Sequence, residues 1–266
     1  MPVIGYKEIK ANCPLCGCSR DKIKYWKYKP MQREIFHVHT RRCKHAEDIS
    51  DEAYVMKAIE LGAKRIVFTD HAPFPDNPFT NRMDMEELPE YIKSMNTLKG
   101  KYKDRIEILC GLEVEYLPSF DDYIKGLKNT EGIDLLILGQ HHYEISNNEI
   151  QWSFLLEDKS QEHKGLAEAM IVGIGTGYFD VVAHPDRIFR RVREWDEECQ
   201  QYAIRIKGTA VQNSVPIEKN YSSMRRKNQY REEFWDTVGE EIQVVNGIDA
   251  HRIKDIENWI TQNENW

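Results

Sequence analysis

Residues 34–40 read Glu34-Ile35-Phe36-His37-Val38-His39-Thr40. Side chains alternate faces along a strand, so the imidazoles at i and i+2 leave from the same side and can grip one ion together. The same construction recurs down the chain. Phe68-Thr69-Asp70-His71, Gly111-Leu112-Glu113-Val114-Glu115, Gly139-Gln140-His141-His142, Ala183-His184-Pro185-Asp186 and Ile248-Asp249-Ala250-His251 each close a β-rich run. With His45, six residues beyond His39, eight of the nine histidines stand at strand ends or just after them. His163 falls in a polar, helical stretch and is expected to face solvent.

The pattern around these motifs predicts seven strands, at 34–40, 65–71, 106–116, 135–142, 180–185, 215–220 and 243–251. Between them, apolar residues return every three to four positions near 51–62, 86–99, 119–128, 159–174, 194–211, 231–239 and 252–264, the period of amphipathic helices. Apolar strands joined by helical crossovers imply a parallel sheet covered on its outside, open or closed. Polar residues recur at the C-terminal end of nearly every strand, and only a closed ring makes them all converge. The expected fold is α/β, a distorted (β/α)7 TIM-like barrel with a metal site at the C-terminal ends of its strands.

At 266 residues, 41% hydrophobic and 30% charged, the chain can bury one large core. A net charge of −7 from 44 acidic and 37 basic residues gives no overall attraction for nucleic acid or an anionic membrane, so any anion site must be local. No secretory apolar core opens the chain and no window approaches a membrane span, which predicts a soluble protein with no membrane partner. The six cysteines do not form a disulfide framework, and a reducing cytoplasm fits them best.

Residues 1–33 read as an N-terminal extension to a domain at 34–266. In the extension, Cys13-Pro14-Leu15-Cys16-Gly17-Cys18 resembles half of a zinc ribbon, but no second pair follows and only Cys43 offers a distant fourth ligand. Reduced thiols in a covering turn are the favoured reading. The run Lys24-Tyr25-Trp26-Lys27-Tyr28-Lys29 interleaves basic and aromatic residues, as a nucleic-acid-associated module would, and equally as a covering strand would. Nucleic acid is not the expected partner.

Imidazole and carboxylate gathered at one end of a barrel make an N/O ligand shell suited to Zn²⁺, Mn²⁺ or Fe²⁺. Here the motifs resemble the PHP (polymerase and histidinol phosphatase) family, its histidinol-phosphatase branch above all. His-Val-His-Thr at 37–40, Arg-Cys-Lys-His-Ala at 42–46, Thr-Asp-His-Ala-Pro-Phe-Pro-Asp at 69–76, Leu-Gly-Gln-His at 138–141, Ala-His-Pro-Asp at 183–186 and Asp-Ala-His at 249–251 occur in the family's order over almost all of residues 34–266.

The resemblance implies three divalent ions. It gives one to His37, His39, Glu113 and Asp249, a second to Glu113, His141 and His184, and a third to His45, His71 and His251. Asp70 and His142 would stand behind them, with His141 and His142 able to exchange roles. A hydroxide bridging the ions, held by Glu113, His37 and Asp249, would attack a phosphate monoester in line. Arg190, in the family's basic position after its strand, is the first candidate for the substrate phosphate, followed by Arg187, Arg225 and Arg226. Lys219 departs from the branch, which has an apolar residue there.

The implied activity is hydrolysis of a small phosphorylated substrate, in this branch L-histidinol phosphate of histidine biosynthesis. Alternatives are another phosphorylated metabolite or nucleotide, a nucleic-acid-associated metal-binding module, and a metal-binding regulator without turnover.

Overall fold

The computed structural model describes residues 6–9, 22–145, 152–237, 239, 241–263 and 266. Cys13, Cys16 and Cys18 lie outside them, and so does the half-ribbon reading. Strands β1 (Tyr6–Ile9) and β2 (Lys22–Tyr25) pair antiparallel ahead of the main sheet.

The main sheet holds seven parallel strands in sequence order: β3 (Glu34–Val38), β4 (Arg65–His71), β5 (Glu107–Val114), β6 (Leu135–Leu138), β7 (Val181–Val182), β8 (Ile217–Asn220) and β9 (Val244–Gly247). The first and last strands meet: Ile248 N donates to Phe36 O and Ala250 N to His37 O, each at 2.9 Å, and His39 N returns a bond to Ala250 O at 2.9 Å. The sheet is therefore a nearly closed ring. It has no long exposed edge, and its strand ends converge.

Alternation along the strands divides the apolar residues between two layers. Phe36, Val67, Leu135, Ile137, Val181, Ala183 and Val245 fill the barrel interior. Their neighbours Ile35, Ile66, Phe68, Cys110, Leu112, Leu136 and Leu138 face outward into the larger core under the helices. Those helices are α1 (Asp51–Glu60), α2 (Leu88–Tyr102), α3 (Asp121–Lys128), α4 (Glu162–Thr176), α5 (Glu197–Asn213), the single turn α6 (Tyr221–Met224), α7 (Glu232–Asp236) and α8 (Ile253–Gln262). Local chemistry starts them. Ser50 caps α1 by accepting from Ala53 N at 3.3 Å, and Asp196 caps α5 by accepting from Cys199 N at 2.8 Å. No described helix is long and apolar enough to cross a membrane.

The N-terminal mouth of the barrel is closed by the stretch just before β3. Trp26 is buried in the core, Lys27 N donates to Ser214 O at 2.8 Å, and Lys27 Nζ reaches Gly177 O and Phe179 O at 2.6 and 3.2 Å. Trp26 and Lys27 thus pack onto the barrel floor. His163 corrects an expectation: it is buried, not solvent-facing. Its ring lies between Phe189 and Tyr202, at 6.0 and 6.4 Å between centroids, because α4 is packed along this side by α5 and by the turn after β7.

Candidate metal centre

Every strand of the ring except the sixth carries a candidate ligand to one mouth of the barrel, and the sixth carries a support. Glu113 is on the inward face of β5, and its carboxylate is the hub. His184 Nε2 lies 2.8 Å from one of its oxygens and His141 Nε2 3.7 Å from the same one. His71 Nδ1, His37 Nε2 and His39 Nε2 approach the other at 3.2, 3.4 and 3.4 Å. Asp249 Oδ1 adds a second carboxylate, 3.3 Å from His39 Nε2. The glycine of Leu138-Gly139-Gln140 makes room for this hub, since a Cβ at Gly139 would overlap the Glu113 carboxylate.

The ligands leave the ladder to reach this point. His37, His184 and Asp249 have φ of 70°, 29° and 54°, a left-handed region that non-glycine residues rarely occupy. At His37 the pairing of β3 with β4 shifts register between Phe36 and Val38. Backbone strain held at three candidate ligand positions points to a functional site, because packing alone gains nothing from it.

Supports fix the ring orientations. His37 Nδ1 meets Glu218 Oε1 at 2.7 Å, and the other Glu218 oxygen accepts from His184 N at 2.9 Å and Asn220 Nδ2 at 3.1 Å. His141 Nδ1 lies 3.2 Å from Glu115 Oε1, while Arg82 grips both Glu115 oxygens at 3.0 Å. Arg187, expected near the phosphate, is buried and bound from three sides: to Asp249 Oδ2 at 2.7 Å, Asn220 Oδ1 at 3.0 Å and Ser223 Oγ at 3.0 Å. It orients Asp249. Asp70 stands behind His39, 3.6 Å from Nδ1, and accepts from the Thr40 hydroxyl.

One contact tests whether a cation fits. His45 Nδ1 lies 2.7 Å from Cys43 O and His251 Nδ1 3.2 Å from Asp249 O. A carbonyl only accepts, so each Nδ1 carries a proton, and a neutral ring of that tautomer has its lone pair on Nε2. Those two Nε2 atoms face each other at 2.8 Å. Two lone pairs at that distance repel unless a proton or a metal ion lies between them. Burial, reinforced by the charge of His39, brings His251 down to about 3, so its ring is neutral at physiological pH. Among the described residues, the buried Nδ1 atoms of His39 and His71 also lack an aligned hydrogen bond. The donor set fits divalent metal, and His45, His71 and His251 form one candidate triad, His37, His39 and Glu113 another, and His71, Glu113 and His141 a third.

Electrostatics divides the ligands. Burial raises the Glu113 acid, but His71, His37 and His141 outweigh it and hold the carboxylate well below the usual range. Burial and Arg187 bring His184 down to about 4. His39 goes the other way, to about 9: burial lowers it, and its contacts with Asp249 and Asp70 overcome that.

Of the paired histidines after β6, His141 turns to the hub and His142 turns away. His142 stacks on Phe79, 5.2 Å between centroids and 11° between planes. Arg187, Arg190 and Arg226 line the cavity above the cluster, which has a volume of about 350 Å³. Arg225 does not line it and lies 3.4 Å from Asp255. Lys219, odd in an otherwise apolar strand position, points outward, its ammonium 5.8 Å from the Tyr230 ring and 5.7 Å from that of Trp235.

The PHP domain model matches residues 36–222 of this chain. The chain belongs to the PHP family. Among curated relatives, the histidinol-phosphatase of Bacillus subtilis is 33% identical over 120 residues, 42% of this chain and 44% of that protein. A Deinococcus radiodurans protein named probable histidinol-phosphatase is 30% identical over 157 residues, 56% of this chain and 59% of the relative. The matched region thus spans roughly half the length of either relative.

Two crystal structures share the fold. A candidate histidinol phosphatase of Listeria monocytogenes superposes with a TM-score of 0.70 at 21% identity, covering 86% of this chain and 99% of that one. The histidinol phosphate phosphatase of Lactococcus lactis, solved with zinc, L-histidinol and phosphate, gives 0.64 at 20% identity, covering 86% and 93%.

Proposed function

We propose that this PHP-family chain is a metal-dependent phosphomonoesterase that hydrolyses L-histidinol phosphate to L-histidinol and phosphate. The observation that carries the hydrolase reading is the pair of imidazole lone pairs facing each other beside a buried Glu113 hub, under a cavity roofed by arginines. The names of the relatives support the substrate.

Three divalent ions, of zinc, manganese or iron, suit the donors. His37, His39, Glu113 and Asp249 would hold one, Glu113, His141 and His184 a second, and His45, His71 and His251 the third. Ions so placed supply a Lewis acid for the phosphoryl oxygens and water activated near neutral pH. The chain's own residues do the rest. Glu113 reaches a member of every sub-cluster, His71 in the outermost, and sets the spacing between them. Glu218 and Glu115 hold the His37 and His141 rings in one tautomer, and Arg187 holds Asp249 in place. Arg190 and Arg226 offer guanidinium groups to a phosphate entering the cavity, and the walls restrict water around it. Cys43, Cys110 and Cys199 are buried free thiols, which suits a reducing cytoplasm.

A second reading, hydrolysis of a different small phosphate ester, has an observation of its own. Each carboxylate that lines the cavity is already engaged: Glu113 by imidazoles, Glu115 by Arg82, and Asp249 by Arg187. None is left for the ammonium group of histidinol.

Phosphate release from L-histidinol phosphate and a monoester panel, using metal-quantified protein and an Asp249→Ala control, tests both. Metal-dependent preference for histidinol phosphate is expected. Turnover of another ester would replace the substrate, and no release at full metal loading would defeat the hydrolase reading.

A further inference from the structure

A second cavity, about 800 Å³, adjoins the catalytic one, and Arg190 lines both. Its walls come from the turn after β7, the approach to α4 and the residues before α7. Lys159, Arg190, Arg191, Arg193 and Arg231 supply five cations, against Glu157 and Asp158. In a chain of net charge −7 this excess is local, not a reflection of composition.

The counter-charges do not balance it. One buried oxygen of Glu162 serves two guanidinium groups, Arg191 Nε at 2.9 Å and Arg190 Nη2 at 3.4 Å. Arg231 is half-buried, yet it donates to backbone carbonyls, Phe189 O at 3.0 Å and Val192 O, and Lys159 Nζ to Phe154 O at 3.1 Å. Among the described residues, neither these two nor the exposed Arg193 makes an ion pair, and Glu157 and Asp158 pair with none of the five. Partly burying cations around a cavity without matching carboxylates costs stability. An oxyanion shared among the guanidinium groups recovers that cost.

We propose that this annex binds a phosphate-class oxyanion, with Arg190 shared between it and the catalytic cavity. The anion has two possible sources: a second phosphate carried by the substrate's leaving group, or free phosphate leaving the reaction. The proposal rests on the catalytic cavity being a phosphomonoesterase site only where it concerns turnover. Binding in the annex stands apart from that.

The test uses the metal-loaded full chain, inorganic phosphate as the probe, and two variants, Arg191→Ala/Arg193→Ala and Arg193→Glu. The second alters one exposed side chain without an ion pair, so the fold is retained even if the double variant is damaged. Calorimetric titration is expected to give two phosphates per wild-type chain, with the annex phosphate weakened about tenfold or more by either variant at unchanged metal content.

Turnover of an alkyl monophosphate against the bisphosphate of the same chain separates the sources. A bisphosphate preference seen in KM and abolished by the variants assigns the annex to substrate. No preference, with a non-competitive phosphate inhibition that the variants remove, assigns it to product. Two bound phosphates without turnover of any ester would keep the annex and overturn the hydrolase reading. Phosphate binding identical in wild type and both variants would overturn the annex.

Discussion

The two mouths of the barrel are built from similar residues to opposite ends. At the N-terminal mouth, Tyr28, Glu34, Arg65 and Glu107 form a closed network: Tyr28 donates to Glu34 at 2.6 Å, and Arg65 donates to Glu34 and Glu107 at 2.8 and 2.7 Å. Donors and acceptors there satisfy one another. At the C-terminal mouth, lone pairs face lone pairs, buried ring nitrogens lack an aligned hydrogen bond, and three candidate ligands sit in left-handed backbone. One end spends its polar groups on holding the fold, and the other leaves them owing a ligand, as barrels of parallel strands generally divide stability from chemistry.

The comparison breaks most visibly at Glu113. Glu113→Gln removes the charge shared by the sub-clusters, so metal content should drop and phosphate release fall on the order of a thousandfold, the scale of losing a principal electrostatic group. The melting temperature of metal-free protein should change far less than that of loaded protein. Parallel losses in both states would mean that the hub is structural, like the floor.

At the other mouth, Trp26→Ala empties a buried site and should cost about 3–5 kcal/mol of stability, read as a lower denaturant midpoint. Specific activity per folded, metal-loaded molecule should remain within about twofold of wild type, since no ligand touches this floor. A large drop in that specific activity would show that the two ends are coupled.

Glu218→Gln probes the border between the two behaviours. Glu218 binds no substrate group in this reading, but it sets the His37 tautomer and braces the turn at His184. Metal affinity is expected to fall about 10- to 100-fold, as for other residues that orient a ligand from behind. Excess metal should restore most of the activity. A loss that metal does not rescue would give Glu218 a part in the reaction itself.

How much of this was legible in the sequence follows the same division. The apolar starts of the strands were readable: the expected beginnings at 34, 65 and 135 coincide with those of β3, β4 and β6. The ends were not. Expected strands at 34–40, 135–142 and 243–251 stop at Val38, Leu138 and Gly247, because the residues beyond turn out of the ladder to face the mouth. The candidate ligands stood out as histidines at strand ends, whereas the residues that brace them did not. Glu218 with His37, Arg82 with Glu115 and Arg187 with Asp249 are partnerships across 33 to 181 residues, set by barrel closure and not by spacing. His163 misled because its neighbours in sequence are polar while its neighbours in space, Phe189 and Tyr202, are aromatic. The one-turn α6 is too short to leave a period.

The finest distinction between the mouths is in protons. His39, raised to about 9 because its contacts with Asp249 and Asp70 overcome burial, carries a proton at neutral pH in metal-free protein. A divalent ion takes only the unprotonated ring, so loading must expel that proton and the one on His37, which Glu218 and Glu113 hold well above the usual histidine range against burial, while His251, at about 3, and His184, at about 4, are already neutral and expel none. Apparent metal affinity should therefore climb with pH, about tenfold per unit for each proton still bound, with the His39 share levelling off above about 9. The sign reverses for the metal-free fold. A histidine held near 9 when folded and near 6.5 when unfolded stabilises the fold fully below pH 6.5, and that contribution is lost as pH rises through 9. Melting with and without metal should then diverge steadily between these limits, and titrations in buffers of different ionisation enthalpy should report the released protons. A loading shift in Tm that stays flat from pH 6.5 to 9 would mean that His39 and His37 are already neutral, leaving the C-terminal mouth poised for metal without any proton to displace.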